Sequence, residues 1–185
     1  MTRRLIATTA SAFMLCNVAA HAQDIHEHGS STLQIVREGN AVTLRLDAPA
    51  MDLIGFEHEA ETDEQHAAIT SAQEKLSDPL GLFGIPEEAG CVLEHTQFEG
   101  PLSEPEDQVV ADHHDHDDDH DHDTEHADVI VEYEFTCANP AAVTRLDSAF
   151  FAAFSSAREL NLQVVTENGQ FQQLLTPAMP SASWQ

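Results

Sequence analysis

Residues 112–126 read D-H-H-D-H-D-D-D-H-D-H-D-T-E-H, and the chain is organised around them. Six of these 15 residues are His (His113, His114, His116, His120, His122 and His126) and eight are Asp or Glu. Neutral imidazole is the usual protein ligand for zinc, nickel and copper(II), and carboxylates supplement it. Several overlapping sets of three or four ligands, with Asp115 and Asp121 among them, lie within a few positions of each other. An acidic linker would carry the same carboxylates. Six imidazoles in so short a run read instead as metal binding. The run has almost nothing apolar to bury, so its composition predicts a mobile, disordered insert over about residues 100–127.

Other histidines stand outside the run. His26-Glu27-His28-Gly29 precedes the first expected strand. In extended backbone His26 and His28 point to one side and can converge on one ion; a frayed, solvated terminus is the competing reading. His58 lies between Glu57 and Glu59 and by itself reads as a surface residue. His126 ends the run two residues before a core strand, which makes it the most anchored of the six. His66 falls on the polar side of a helix and His95 opposite Tyr133, where a structural role is expected.

Other chemistries find little support. His58-Glu59-Ala60-Glu61-Thr62 departs from H-E-x-x-H at its last position. Asp115, Asp117, Asp119 and Asp121 alternate like a calcium loop, but His120 stands where an EF-hand needs glycine. No Gly-rich phosphate loop is present. A metal-dependent hydrolase would need an open coordination position beside a general base. The pattern reads as a binding protein, not an enzyme.

Seven basic residues face 33 acidic ones, for a net charge of −26. Nucleic acid is excluded as a partner, because phosphate repels such a surface, whereas cations are drawn to it. Residues 1–22 read as a signal peptide: Arg3 and Arg4, an apolar stretch over 5–18, then Ala20-His21-Ala22 as the cleavage site. The mature chain is expected to begin at Gln23, with a net charge of −28 (five basic, 33 acidic) and without Cys16. Phe13-Met14-Leu15 lacks the small residues that would make Cys16 a lipid anchor. No later stretch is apolar enough over sufficient length to insert in a membrane. Cys91 and Cys137 remain, and an even count in an exported chain predicts one disulfide rather than two buried thiols.

The elements that must position these groups follow from periodicity. Residues 30–37 and 41–47 alternate about Gly39-Asn40, a hairpin that sets Ile35 opposite Leu44 and Leu33 opposite Leu46. A connection over 48–61 leads to a helix capped by Thr62 and Gln65, with Gln65, Ala68, Ile69, Ala72 and Leu76 inward, ending at Asp78-Pro79. Residues 80–86 read as a packed loop. Strands over 91–99 and 128–137 pair so that a Cys91–Cys137 bond would clamp the base of the insert. Asn139-Pro140 opens a second helix to about Phe154, and a second hairpin turns at Asn168-Gly169. The expected fold is α+β: one domain over 23–185, an antiparallel sheet with two helices, in the order ββαβ–βαββ.

With these pieces in place the chain resembles the ZrgA family, zinc-regulated periplasmic zinc-binding proteins of Gram-negative bacteria. The resemblance lies in the export signal, His26-x-His28-Gly29 before a hairpin, Gly55-Phe56-Glu57-His58, Gly90-Cys91, the His/Asp insert, and His126-Ala127-Asp128 leading to Tyr133-x-Phe135-x-Cys137. It covers essentially the whole mature chain, and the order of the motifs carries it more than any one of them. It implies a periplasmic protein that binds Zn2+ and helps supply it to an ABC importer or that importer's solute-binding protein. It also puts His26, His28, His58 and His126 forward as site residues, beyond what their spacing supports. The leading expectation is a more ordered site in the folded domain that uses these four, with the run capturing further ions. Without the resemblance, a nickel or copper buffer fits the same ligands.

Overall fold

The computed structural model describes residues 27–103 and 127–184. β1 (Ser30–Glu38) and β2 (Ala41–Pro49) form the expected hairpin, with Ile35 opposite Leu44 and Leu33 opposite Leu46. Gly39 carries φ +59° in its turn while Asn40 has none of that sign, the pattern of a type II′ turn.

The chain leaves β2 through one helical turn, α1 (Ala50–Leu53), where the sequence predicts only a connection. α2 (Asp63–Leu76) is the expected first helix. Thr62 Oγ1 accepts from the Gln65 N–H (3.2 Å) and Gln65 Oε1 accepts from the Thr62 N–H (3.0 Å), a complete capping box. Ala72 and Leu76 are buried, while Gln65, Ala68 and Ile69 are half-buried. The loop expected over 80–86 begins instead as a short helix, α3 (Pro79–Phe83). Asp78 caps it, Oδ1 accepting from the Gly81 N–H at 3.1 Å, and Pro79 presets its first turn.

β3 (Cys91–Glu99) and β4 (Asp128–Cys137) pair antiparallel, and Cys91 and Cys137 are joined in a disulfide. That bond does not clamp the base of the insert. It ties the start of β3 to the end of β4, and the insert leaves the other end of the ladder, beyond the Glu99/Ile130 pair. The base is held by packing and hydrogen bonds. Leu102 is fully buried in a 3₁₀ turn (Gly100–Leu102), its carbonyl accepts from Gln73 Nε2 (3.0 Å), and the Ala127 carbonyl accepts from the Ala50 N–H (2.9 Å). His95 is corrected as well. A bulge between Leu93 and His95 shifts the register, so Thr96 opposes Tyr133 and His95 opposes Glu134 on the exposed face.

The helix expected over 140–154 does not form. A 3₁₀ turn (Pro140–Ala142), β5 (Arg145–Asp147) and one helical turn, α4 (Phe150–Ala153), take its place. The Asn139 side chain makes no cap bond, and the segment finds a strand partner in β8 (Ser181–Ser183), Leu146 opposite Ala182. Ser148 then starts α4, its Oγ accepting from the Phe150 N–H at 3.2 Å. Val143, Leu146, Phe150 and Phe154 are nonetheless buried, as the apolar pattern requires.

β6 (Glu159–Thr166) and β7 (Gly169–Leu175) make the second hairpin, but its tip is Glu167-Asn168, since Thr166 pairs with Gly169. Glu167 at the tip reaches the first hairpin, accepting from the Gly39 N–H (2.9 Å) and Arg37 Nε (3.1 Å). The six-stranded sheet runs β3-β4-β2-β1-β6-β7. It is antiparallel except where β1 and β6 pair in parallel, Leu33 with Leu162 and Ile35 with Val164. The α+β class and the mostly antiparallel sheet hold; the order ββαβ–βαββ with two helices gives way to this arrangement. One face of the sheet contributes Leu33, Leu44, Leu46, Val131, Tyr133 and Leu162 to a continuous core with Leu76, Phe83 and Phe150. No helix among the described residues is long and apolar enough to cross a membrane.

Candidate metal centre

Of the expected ligands, His28 and His58 lie among the described residues. His26, His113, His114, His116, His120, His122, His126, Asp115 and Asp121 lie outside them.

His28 is placed by its neighbour. The Gly29 N–H donates to Asp52 Oδ2 of α1 (2.7 Å), and the Gly29 carbonyl accepts from the N–H groups of Arg158 and Glu159 (2.8 Å each). The residue before β1 is thereby held between α1 and the start of β6. The Asp52 carboxyl is buried, which pushes it above its ordinary range; the Gly29 N–H and the His28 charge pull the other way. His28 Nε2 lies 2.8 Å from Glu57 Oε1, the ring half-exposed and the carboxylate mostly covered. A carboxylate oxygen only accepts, so Nε2 carries the proton and, in the neutral ring, Nδ1 the lone pair. An imidazole and a carboxylate held this close are the donor types that zinc sites use.

His58 is oriented more completely. Its Nδ1 lies 2.7 Å from the Glu59 carbonyl, which can only accept, so Nδ1–H donates and the Nε2 lone pair faces away. The Gln65 side-chain amide lies 3.4 Å from that Nε2. Phe56, buried, packs against the ring with centroids 5.3 Å apart. One ring nitrogen on a backbone carbonyl, the other presenting its lone pair, is the arrangement that metal-ligating histidines use.

A cavity of about 830 Å³ is lined by Glu57, His58, Glu59 and His66, and also by Ser103 and Ala127. Ser103 and Ala127 flank the His/Asp insert, so its two ends meet the same cavity. His66 is exposed, as its helical position predicts, yet it shares this wall with His58. Sequence reasoning also missed Asp52, which anchors Gly29, and the contact of Gln65 with His58; from sequence Gln65 reads as a cap and as part of the inward stripe of its helix. The one signal is for Gln65, which stands seven positions after His58 in the first turn of a helix. Among the described residues, no three His, Cys, Asp or Glu stand close enough to hold an ion by themselves.

A family model described as ZrgA family zinc uptake protein matches residues 25–184, and no curated protein matches the chain. The match takes in both placed histidines, the residues that line the cavity, the His/Asp insert and the whole sheet. The chain therefore belongs to the ZrgA family of zinc uptake proteins.

Proposed function

We propose that this protein works in the periplasm as a zinc-binding protein, capturing or buffering Zn2+ and supporting its delivery to an ABC-type importer. Zn2+ is cargo, and the protein is not an enzyme. The observation that supports this most is His58: its tautomer is set by the Glu59 carbonyl, and it lies on a cavity wall between Glu57 and Glu59. His28 with Glu57 adds donors beside it. His126 directly precedes Ala127, which lines the cavity, and His26 is two residues from His28 in sequence. These four histidines form the tighter site in this reading. The run from His113 to His122, with Asp115 and Asp121, takes further ions. Ligands that must be ordered on binding lose affinity to that ordering and exchange faster, which suits capture and hand-off.

Zinc titration of residues 23–185 by calorimetry, with native mass spectrometry for the count, tests both parts. Deleting residues 112–123 should lower the number of zinc ions bound and leave the tighter site. His58→Ala should weaken that site at least tenfold, roughly what loss of even an indirect partner costs a metal ligand. An unchanged zinc count after the deletion would refute the role of the run. Imidazole sites prefer copper(II) in vitro, so the metal found in protein purified from its own periplasm decides between zinc and nickel or copper.

A further inference from the structure

Gln65 has two tasks for one side chain. Its Oε1 accepts from two backbone donors at the start of α2, the Glu61 N–H (2.8 Å) and the Thr62 N–H (3.0 Å). Two donors on the same atom identify it as the oxygen, so the NH2 end is the one that lies 3.4 Å from His58 Nε2. On His58 the Nδ1 proton is held by the Glu59 carbonyl, 2.7 Å away. The amide therefore donates to the one atom of His58 through which the ring can bind a cation. A hydrogen bond and a metal cannot use the same lone pair.

We propose that Gln65 is the placeholder of the zinc site: it holds the His58 lone pair in the metal-free protein and yields it to Zn2+. This rests on the reading of His58 as a ligand. At 3.4 Å the bond is near the long limit for nitrogen donors, so it orients the ring while competing only weakly with a metal. When Zn2+ takes Nε2, the NH2 group turns away. Oε1 keeps its two backbone donors, because releasing them would leave the first turn of α2 uncapped. Gln65 is thus a positioning residue, and it links occupancy at His58 to the end of a helix without unmaking that helix.

Nitrogen-detected NMR on residues 23–185 tests this with Zn2+ alone. In the metal-free protein His58 should be protonated on Nδ1 and bare on Nε2. Added Zn2+ should shift His58 Nε2 and the Gln65 side-chain NH2 together, and leave the Glu61 and Thr62 amides in place. If Nε2 shifts and the Gln65 NH2 does not, the placeholder is wrong while the site stands. If Nε2 does not shift, His58 is no ligand and both fail. Two variants add an affinity readout. Gln65→Leu removes the competing donor and adds no charge beside His58, so zinc should bind roughly two- to tenfold tighter even though the cap is lost and the protein is destabilised. Thr62→Ala breaks the other half of the box and controls for that loss; it should destabilise the protein and leave zinc affinity as it was. Equal zinc affinity in Gln65→Leu and wild type, or an altered one in Thr62→Ala, would overturn the proposal.

Discussion

A histidine binds metal only through the nitrogen that keeps its lone pair, so what decides its role is the partner of the other nitrogen. His58 and His28 differ in this respect. The first rests Nδ1 on a backbone carbonyl, the second rests Nε2 on a carboxylate. Neither partner is legible from sequence, because both depend on how residues 56–59 are folded. Tyr133 makes the same point away from the site. It reads from sequence as one of a row of inward residues, and its hydroxyl donates to the Leu76 carbonyl at the end of α2 (2.9 Å). Burial pushes the phenol well above its ordinary value of 10.0. The folded protein therefore keeps this proton after the unfolded chain has lost it, and in that window it binds more protons than the unfolded chain. The sign follows: the contribution is whole below about pH 10 and is lost as pH rises above it. Tyr133→Phe should cost about 1–2 kcal/mol at neutral pH, from the carbonyl left without its donor. It should also flatten the loss of stability in the alkaline range. Urea unfolding at neutral pH and at about pH 11 measures both.

At the scale of elements, segments whose local signals agreed with each other formed as expected. The first hairpin has a turn and an alternation that impose the same register, and α2 has a cap, an apolar stripe and a proline stop. Residues 140–154 had a helical stripe and an N-terminal proline, but a distant strand competed for them. β8 lies more than 30 residues away in sequence, and its pairing with β5 overrode local propensity. The close approach that holds the root of the insert was equally hidden. Gly100 has φ +74° where β3 ends, and a Cβ there would run into the Asp128 carbonyl. Gly100→Ala should destabilise the protein by about 2–3 kcal/mol, combining left-handed strain with that clash. Gly39 has a similar φ, +59°, but open space around it. Gly39→Ala should cost nearer 1 kcal/mol, and paired thermal melts of the two variants check the order.

Across the whole molecule, the disulfide and the candidate metal centre occupy opposite ends of the β3–β4 ladder. The bond closes a sequence separation of 46, worth about 4 kcal/mol on the chain-entropy model. For a chain of this size that corresponds to a fall of roughly 10 °C in Tm on reduction. The zinc count should survive reduction, because the rim of the cavity is held by Leu102, Gln73 and Ala50 and not by sulfur. Calorimetric melts and zinc titrations with and without a thiol reductant test the separation. A loss of zinc in step with the bond would show that the two ends are coupled.

The sequence by itself determined the class of chemistry and the class of fold. Imidazole and carboxylate are ligand types for divalent metal, and ligand type is a property of the side chain. Alternation and caps choose strand or helix over a few residues, because backbone and side chain meet there directly. Only the tertiary structure decided that the two roots of the insert open on the wall that carries His58 and His66. It alone set Glu57 against His28 from 29 positions away and turned the Gln65 amide toward His58. Those contacts depend on which segments pack together, and the order of residues along a chain does not state that.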